Sequence, residues 1–317
     1  MTKYPKVAVI TLNWNGEKWL DACLSSILAM DYPKFKVIVA DNGSTDRSVK
    51  LIREEFPNVH VVQLCKNLGY ARGFNAGLEY AASQGADYFL IMNNDTVIDK
   101  AALSALVDTA QSQPKAGFVT GKIYYFDHPN VLQTIGKKED FICWSGNHIG
   151  EGEKDIGQYD DIEERVFLDD VMTLVNRKMY DEVGGYDPQF FLDCEEFDWQ
   201  VRAKKKGWKF YYTPKAMIWH MVGMSRGGEG NPIARYFNAR NYLVVMALHA
   251  GIWRFLRYYL LTSFKVTDSL LKGLVQINPA KIGARLATWL GFVAGTFWLI
   301  HRRPPTRIPW IIQRIRR

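Results

Sequence analysis

DYFLIMNNDT, residues 87–96, sets an apolar run against two amides and a carboxylate. The run reads as a buried strand, and near-continuously apolar strands belong to parallel sheets covered by helices. Asn93, Asn94 and Asp95 then stand at its carboxyl end, ahead of a helical pattern over Lys100–Gln111. Turns and helix caps use the same residue types, so the tip alone would pass for an ordinary turn.

The same grammar occurs three times before it. VAVITLNW (7–14) leads into EKWLDACLSSILAM, where Trp19, Leu20, Cys23, Leu24, Ile27 and Leu28 share one helical face. KVIVADN (36–42) precedes a helical pattern to Phe56, and VHVVQL (59–64) precedes one from Ala71 to Ala82. Repeated strand–helix units predict an α/β fold with a parallel, doubly covered sheet. Ligands bind at the carboxyl ends of such strands. Four successive tips would offer Asn13, Asn15, Asp41, Asn42, Asn67, Arg72, Asn75 and Asp95 to one crevice.

With 317 residues there is room for one large α/β domain with an appendage. The four cysteines form no CxxC pair, which argues against a zinc site or a disulfide framework and fits a reducing cytosol. The first apolar run passes directly into charged sequence and reads as a strand, not a signal peptide. Charge is asymmetric: residues 235–317 hold fourteen Lys and Arg against Asp268 alone, whereas the first 234 residues carry 26 basic and 32 acidic side chains.

Residues 126–168 lack a clear period and read as loops with short strands. Beyond them, DCEEFDW (193–199) crowds Asp193, Glu195, Glu196 and Asp198 into the first turn of a helix running to Lys206. Acids there suit the helix dipole, yet four so close repel one another and favour a raised pKa suited to proton abstraction. His220 ends the strand KAMIWH, where it could join Asp95 around one divalent cation. The glycine-rich stretch 223–230 has the composition of a lid whose Arg226 could reach a phosphate. Neither GxxxxGK[ST] nor GxGxxG is present, which disfavours a P-loop enzyme or a dinucleotide oxidoreductase. The globular domain is predicted to end near Pro232, giving divisions of 1–234 and 235–317.

Taken in order, VAVITLNWNG, VIVADNGSTD, NLGYARGFNAG, FLIMNNDT, VGGYDPQFF with DCEEFDWQVR, and IWH with the later RYFNARN resemble the inverting family-2 glycosyltransferases of the GT-A fold, in particular their rhamnosyltransferase-like branch. The resemblance covers residues 7–242. It implies a mostly parallel mixed sheet flanked by helices and transfer of a sugar from a nucleoside diphosphate, dTDP-rhamnose or a UDP-sugar, to a glycan or polyprenyl-diphosphate-linked acceptor in envelope polysaccharide assembly. By the same resemblance Thr11, Asn13 and Asp41 hold base and ribose. Asn67, Arg72, Asn75, Asn93, Asn94 and Arg226 fall to the rest of the donor site, and Asp95 with His220 holds Mg²⁺ or Mn²⁺. Asn93 stands where the family's DxD motif carries its first acid, which adds no charge toward the cation. Glu196 stands where the family carries an aspartate that acts as general base, and the resemblance gives it that role, with Glu195 and Asp198 in support. Asp187, Phe190 and Phe191 are expected to meet the acceptor.

The tail is basic and aromatic, and its longest uncharged apolar segment, Leu286–Ile300, is short for a bilayer span. Arg254, Arg257, Lys265, Lys272, Lys281 and the terminal WIIQRIRR favour peripheral attachment to an anionic membrane, on the cytoplasmic face. Pairing of tail helices in a homodimer stays open. The alternatives are a non-catalytic scaffold that binds nucleotide sugar or membrane, disfavoured by the joint presence of Asp95 and Glu196, and a nucleic-acid-binding tail, which is not expected.

Overall fold

The computed structural model describes residues 4–221, 231–275 and 279–301. Its first third alternates strands and helices: β1 (Val7–Asn13), α1 (Glu17–Leu28), β2 (Phe35–Asp41), α2 (Ser48–Glu55), β3 (His60–Gln63), α3 (Tyr70–Ser83), β4 (Tyr88–Asn93), β5 (Thr96–Ile98) and α4 (Ala102–Ser112). Strand alternation sorts the core into two layers. Val7 and Val9 face α1 and α4, among Leu20, Cys23, Leu24, Ile27, Leu103 and Leu106. Ala8 and Ile10 face α3, among Ala71, Phe74 and Leu78.

Strands β3, β2, β1 and β4 lie side by side and parallel. The chain moves outward from β1 to β3, then returns to place β4 on the other side of β1. That reversal opens a crevice at the carboxyl ends of β1 and β4. Register levels the tips, with Asn13 opposite Asp41 and Leu12 opposite Asn93.

The sheet continues through β6 (Ala116–Tyr125), β11 (Met172–Asn176) and β12 (Lys209–His220). Strand β11 is antiparallel between β4 and β6, while β12 runs parallel to β6 and pairs its last residues with β5. Between β6 and β11 come β7 (His128–Thr134), β8 (Lys137–Asp140), β9 (Trp144–His148) and β10 (Glu163–Arg165), of which β8 and β9 form a separate two-stranded sheet. These are the short strands expected within 126–168. Helices α5 (Arg177–Val183) and α6 (Glu195–Lys205) follow β11.

Three helices close the described chain: α7 (Pro232–His249), α8 (Ile252–Val275) and α9 (Pro279–His301). Asn231 caps α7 by accepting from the Ile233 N–H, and proline follows it at the first helical position. Helix α9 lies so close on α7 that a Cβ at Gly291 would fall 2.2 Å from the Tyr236 carbonyl oxygen. The expected division after residue 234 falls within α7, whose Tyr236, Arg240 and Asn241 are fully buried. Within α9, Ile282–His301 is long and apolar enough to cross a membrane by length and composition, and a third of that stretch packs inside the fold. It outlasts the fifteen-residue apolar segment because helix continues through Arg285 and back to Pro279.

Candidate active site

The carboxyl ends of β1, β2 and β4 are joined by a knot of hydrogen bonds centred on Asn13. Its amide nitrogen shares two hydrogens among Asp41 Oδ1 at 2.9 Å, Ser48 Oγ at 3.0 Å and Ser44 Oγ at 3.1 Å, and its oxygen accepts from Asn94 Nδ2 at 3.1 Å. The other Asp41 oxygen accepts from the Ser44 N–H. Asn13 and Asp41 are fully buried, so here they brace the crevice from beneath. Strand alternation sets Thr11 with Val7 and Val9, and its hydroxyl is buried without a hydrogen-bond partner.

Asn67 caps its own loop, accepting from the Gly69 N–H and from Asn42 Nδ2. Gly69 has φ +86° and carries no side chain where a Cβ would meet the Phe191 carbonyl at 2.4 Å. The next residue, Tyr70, donates its N–H to that carbonyl at 2.7 Å. This segment thus docks backbone to backbone on the loop before α6. Asn75, expected at the donor, clasps the same loop instead: it donates to the Tyr186 carbonyl at 2.8 Å and accepts from its N–H at 3.0 Å. Arg72 is exposed and holds the Pro188 carbonyl at 3.3 Å through Nε. Asn93 is half-buried, its side-chain oxygen within 3.3 Å of the Tyr70 hydroxyl.

Asp95 and His220 meet because β5 and β12 pair with Thr96 opposite His220. Asp95 Oδ1 lies 3.3 Å from His220 Nε2, and Gln133 Oε1 lies 2.9 Å from His220 Nδ1. In the tautomer whose Nδ1–H is donated to Gln133, Nε2 would turn its lone pair toward the carboxylate. Two electron-pair donors facing each other fit a shared cation. Among the described residues no group of three His, Cys, Asp or Glu side chains that could hold a metal ion occurs. Arg226 lies outside the described residues.

The four acids at the start of α6 take different roles. Asp193 and Cys194 enter the helix with φ of 66° and 68°, a left-handed pair rarely adopted by side-chain-bearing residues. Helix α7 holds that turn, as Asn241 Nδ2 donates to the Leu192 and Asp193 carbonyls, each at 2.8 Å. Asp198 is bound by Arg202 Nε at 2.8 Å and His249 Nε2 at 2.7 Å, so it stitches α6 to α7 and does not support Glu196. Glu195 is buried, and burial, then the charges of Glu196, Asp170 and Asp193, push its carboxyl well above the usual range. Glu196 alone of the four keeps a carboxylate open to solvent, with 20% of its side chain exposed.

Facing Glu196 is a group the sequence did not single out. Lys137 Nζ lies 3.5 Å from Glu196 Oε1 and 2.8 Å from Asp169 Oδ1, and Asp169 Oδ2 meets His148 Nδ1 at 3.0 Å and the Thr134 hydroxyl at 2.9 Å. Burial alone would raise Asp169, but Lys137 and then His148 hold its carboxylate well below the ordinary range. Beside it, Asp170 accepts from the Tyr186 hydroxyl at 2.7 Å. The doublet in FLDD (167–170) was the available signal. Consecutive residues of β7 serve both sites: Gln133 holds His220, and Thr134 holds Asp169.

Phe190, expected to stack on a sugar, is fully buried with Phe167, Phe197 and Val244 and belongs to the core. Phe191 is half-buried with its ring stacked on Phe237 at 5.1 Å. Asp187 closes its own turn, accepting from Gln189 N–H and Nε2. A cavity of about 280 Å³ bordered by Lys6, Asn58, His60 and Tyr80 opens at the amino-terminal ends of β1 and β2, away from these groups.

Comparison with known proteins agrees with this architecture. The N-acetylglucosaminyl-diphospho-decaprenol L-rhamnosyltransferase of Mycobacterium tuberculosis is 26% identical over 273 residues, covering 78% of this chain and 86% of its own. The poly-beta-1,6-N-acetyl-D-glucosamine synthase of Staphylococcus aureus is 26% identical over 220 residues, 68% of this chain and 50% of its own, so this chain spans half of that synthase. A solved mannosyltransferase of Pyrobaculum calidifontis, in complex with GDP-Man and Mn²⁺, superposes with a TM-score of 0.58 over 93% of this chain and 88% of its own. At 17% identity that likeness speaks to the GT-A fold. The sequence profile of glycosyl transferase family 2 matches residues 7–184, from β1 to the turn after α5. Because that match takes in more than half of the chain, the chain belongs to glycosyl transferase family 2, and its activity is that of a glycosyltransferase.

Proposed function

We propose that the protein is an inverting glycosyltransferase that moves a sugar from a nucleoside-diphosphate donor, dTDP-rhamnose or a UDP-sugar, to a hydroxyl of a lipid-linked or glycan acceptor in cell-envelope polysaccharide assembly. The observation that carries the chemistry is the division among the α6 acids. Asp198 is ion-paired and buried, Glu195 is buried with its carboxyl pushed up, and Glu196 remains the solvent-reaching carboxylate. Glu196 takes the proton of the acceptor hydroxyl as that oxygen attacks C1 of the donor sugar. The bond from C1 to the phosphate oxygen breaks, its electron pair leaves with the nucleoside diphosphate, and attack from the opposite side inverts the anomeric centre. Asp95 and His220 would hold a Mg²⁺ or Mn²⁺ ion, which when bound offsets charge on the leaving diphosphate.

The choice of acceptor rests on the mycobacterial relative, whose name specifies a diphospho-decaprenol substrate. Exposed Trp253, Leu260, Phe264 and Leu271 recur at seven- and four-residue intervals along α8, with exposed Lys265 and Lys272 beside two of them. Such a face suits peripheral attachment to the anionic inner surface of the cell membrane. It would keep the enzyme beside a lipid-linked acceptor.

A panel of dTDP-, UDP- and GDP-sugars, each with Mg²⁺ or Mn²⁺, tests this reading by nucleoside diphosphate release with and without polyprenyl-diphosphate-linked N-acetylglucosamine. Glu196→Gln should lower turnover by about 10²–10⁴-fold while donor binding persists. Near-normal turnover in that variant removes Glu196 as base. Silence of folded wild-type protein across the panel overturns the donor and acceptor assignment.

A further inference from the structure

The acid cluster at the mouth of α6 poses an electrostatic problem. Glu195, Glu196, Asp169, Asp170 and Asp193 gather there, and carboxylates so close oppose one another's ionisation. Among the described residues one cation pairs with Glu196, and it is Lys137. It comes from β8, in the stretch of sequence with the least regular pattern.

Lys137 is fixed at both ends. Its backbone N–H donates to the Phe167 carbonyl at 2.8 Å, two residues before Asp169, which registers β8 against the chain entering β11. At the far end of its side chain, Asp169 Oδ1 takes the ammonium at 2.8 Å. Asp169 is itself immobilised by the Thr134 hydroxyl, by His148, and through its backbone carbonyl by the Thr173 hydroxyl at 2.9 Å. Although burial opposes the charge on Lys137, Asp169 and then Glu196 keep its ammonium above its ordinary range. The side chain is 15% exposed, so little solvent competes for the charge.

We propose that Lys137, held by Asp169, is the positioning residue that aims the Glu196 carboxylate and offsets the neighbouring acids, so that Glu196 can accept the acceptor's proton. The inference rests on Glu196 being the base. The geometry favours a role through Glu196, because the shorter contact anchors Lys137 to Asp169 while the longer one leaves Glu196 free to turn toward a hydroxyl. An ammonium fixed this way remains beside Glu196 as the carboxylate takes its proton and then returns it to water.

Donor hydrolysis provides the test without an acceptor: nucleoside diphosphate release from dTDP-rhamnose and from UDP-sugars in the presence of Mn²⁺, with water in place of the hydroxyl. Lys137→Met should lower kcat by about 10–100-fold, the scale of losing a charge-assisted contact, with donor KM within about twofold of wild type. Lys137→Arg should restore most of the rate, and ethylammonium should rescue Lys137→Ala where neutral propanol does not. On a Glu196→Gln background, Lys137→Met should cost nothing further, because both changes remove the same function. Unchanged kcat in Lys137→Met, or a loss that neither arginine nor the amine repairs, overturns the inference. So does a full additional loss in the double variant. If Glu196→Gln itself retains turnover, the assignment of the base has failed instead; if wild type releases no diphosphate from any donor, both fall together.

Discussion

The donor side and the base side of the crevice are held by opposite physical means. On the donor side the tips of β1, β2 and β4 are tied by amides and hydroxyls, with Asn13 making four side-chain contacts and the Asp41 carboxylate accepting within the same knot. On the base side a set of carboxylates is balanced by Lys137 and His148 above an aromatic bed of Phe167, Phe190 and Phe197. A knot built mainly from amides and hydroxyls, with one carboxylate, responds less to pH and salt than a cluster of several charges. The difference teaches where to look for chemistry: rigidity comes from the donor side, and proton traffic belongs to the side whose charges are poised.

The largest effect that would break this contrast concerns the aromatic bed. Phe190→Ala should cost about 3–5 kcal/mol of stability, because a fully buried aromatic ring leaves a cavity that its neighbours fill only in part. Urea unfolding measures it. A variant of wild-type stability with weakened acceptor binding would return Phe190 to the role of a sugar-stacking face and dissolve the bed beneath Glu196.

Asn13→Ala should cost less, about 1–3 kcal/mol. It strips partners from Asp41, Ser44, Ser48 and Asn94, some of which water can replace at the crevice floor. The loss should be nearly constant between about pH 5 and about pH 8, since the Asn13 side chain does not titrate. A steep pH dependence of this difference in stability would erase the distinction between the two sides.

How much of this could be read beforehand follows from range and period. The near-continuous apolar run in VAVITLN forecast β1, and the two-residue period of a strand sets Thr11 on the same side as Val9. The polar tips and the acids of DCEEFDW were visible because each lies at the end of a strongly patterned element. Lys137 was not. Its strand has four residues, half of them exposed, and its partner Glu196 is 59 positions away, a pairing that only folding creates. Asp198 was expected to support Glu196, but His249 of α7, far away in sequence, claims it. Nothing local separates Phe190 from Phe191 either, because a loop without period does not say which ring turns inward.

The smallest expected effect sharpens the contrast by its sign. The bond to Asp169 comes first among the causes that raise the pKa of His148 above its ordinary 6.5. Protonated His148 therefore stabilises the folded state fully below about pH 6.5, and that contribution fades as pH rises through the folded value. His148→Asn keeps a donor for Asp169 but no charge. The stability gap between wild type and this variant should be greatest near pH 6 and narrower at about pH 8.5, by an amount kept modest because a third of the His148 side chain is exposed. Paired urea titrations at those two pH values, with Asn13→Ala as the reference, read the difference directly. A gap that widens with pH would mean that His148 sits neutral against Asp169, leaving Lys137 as the sole charge balancing the cluster.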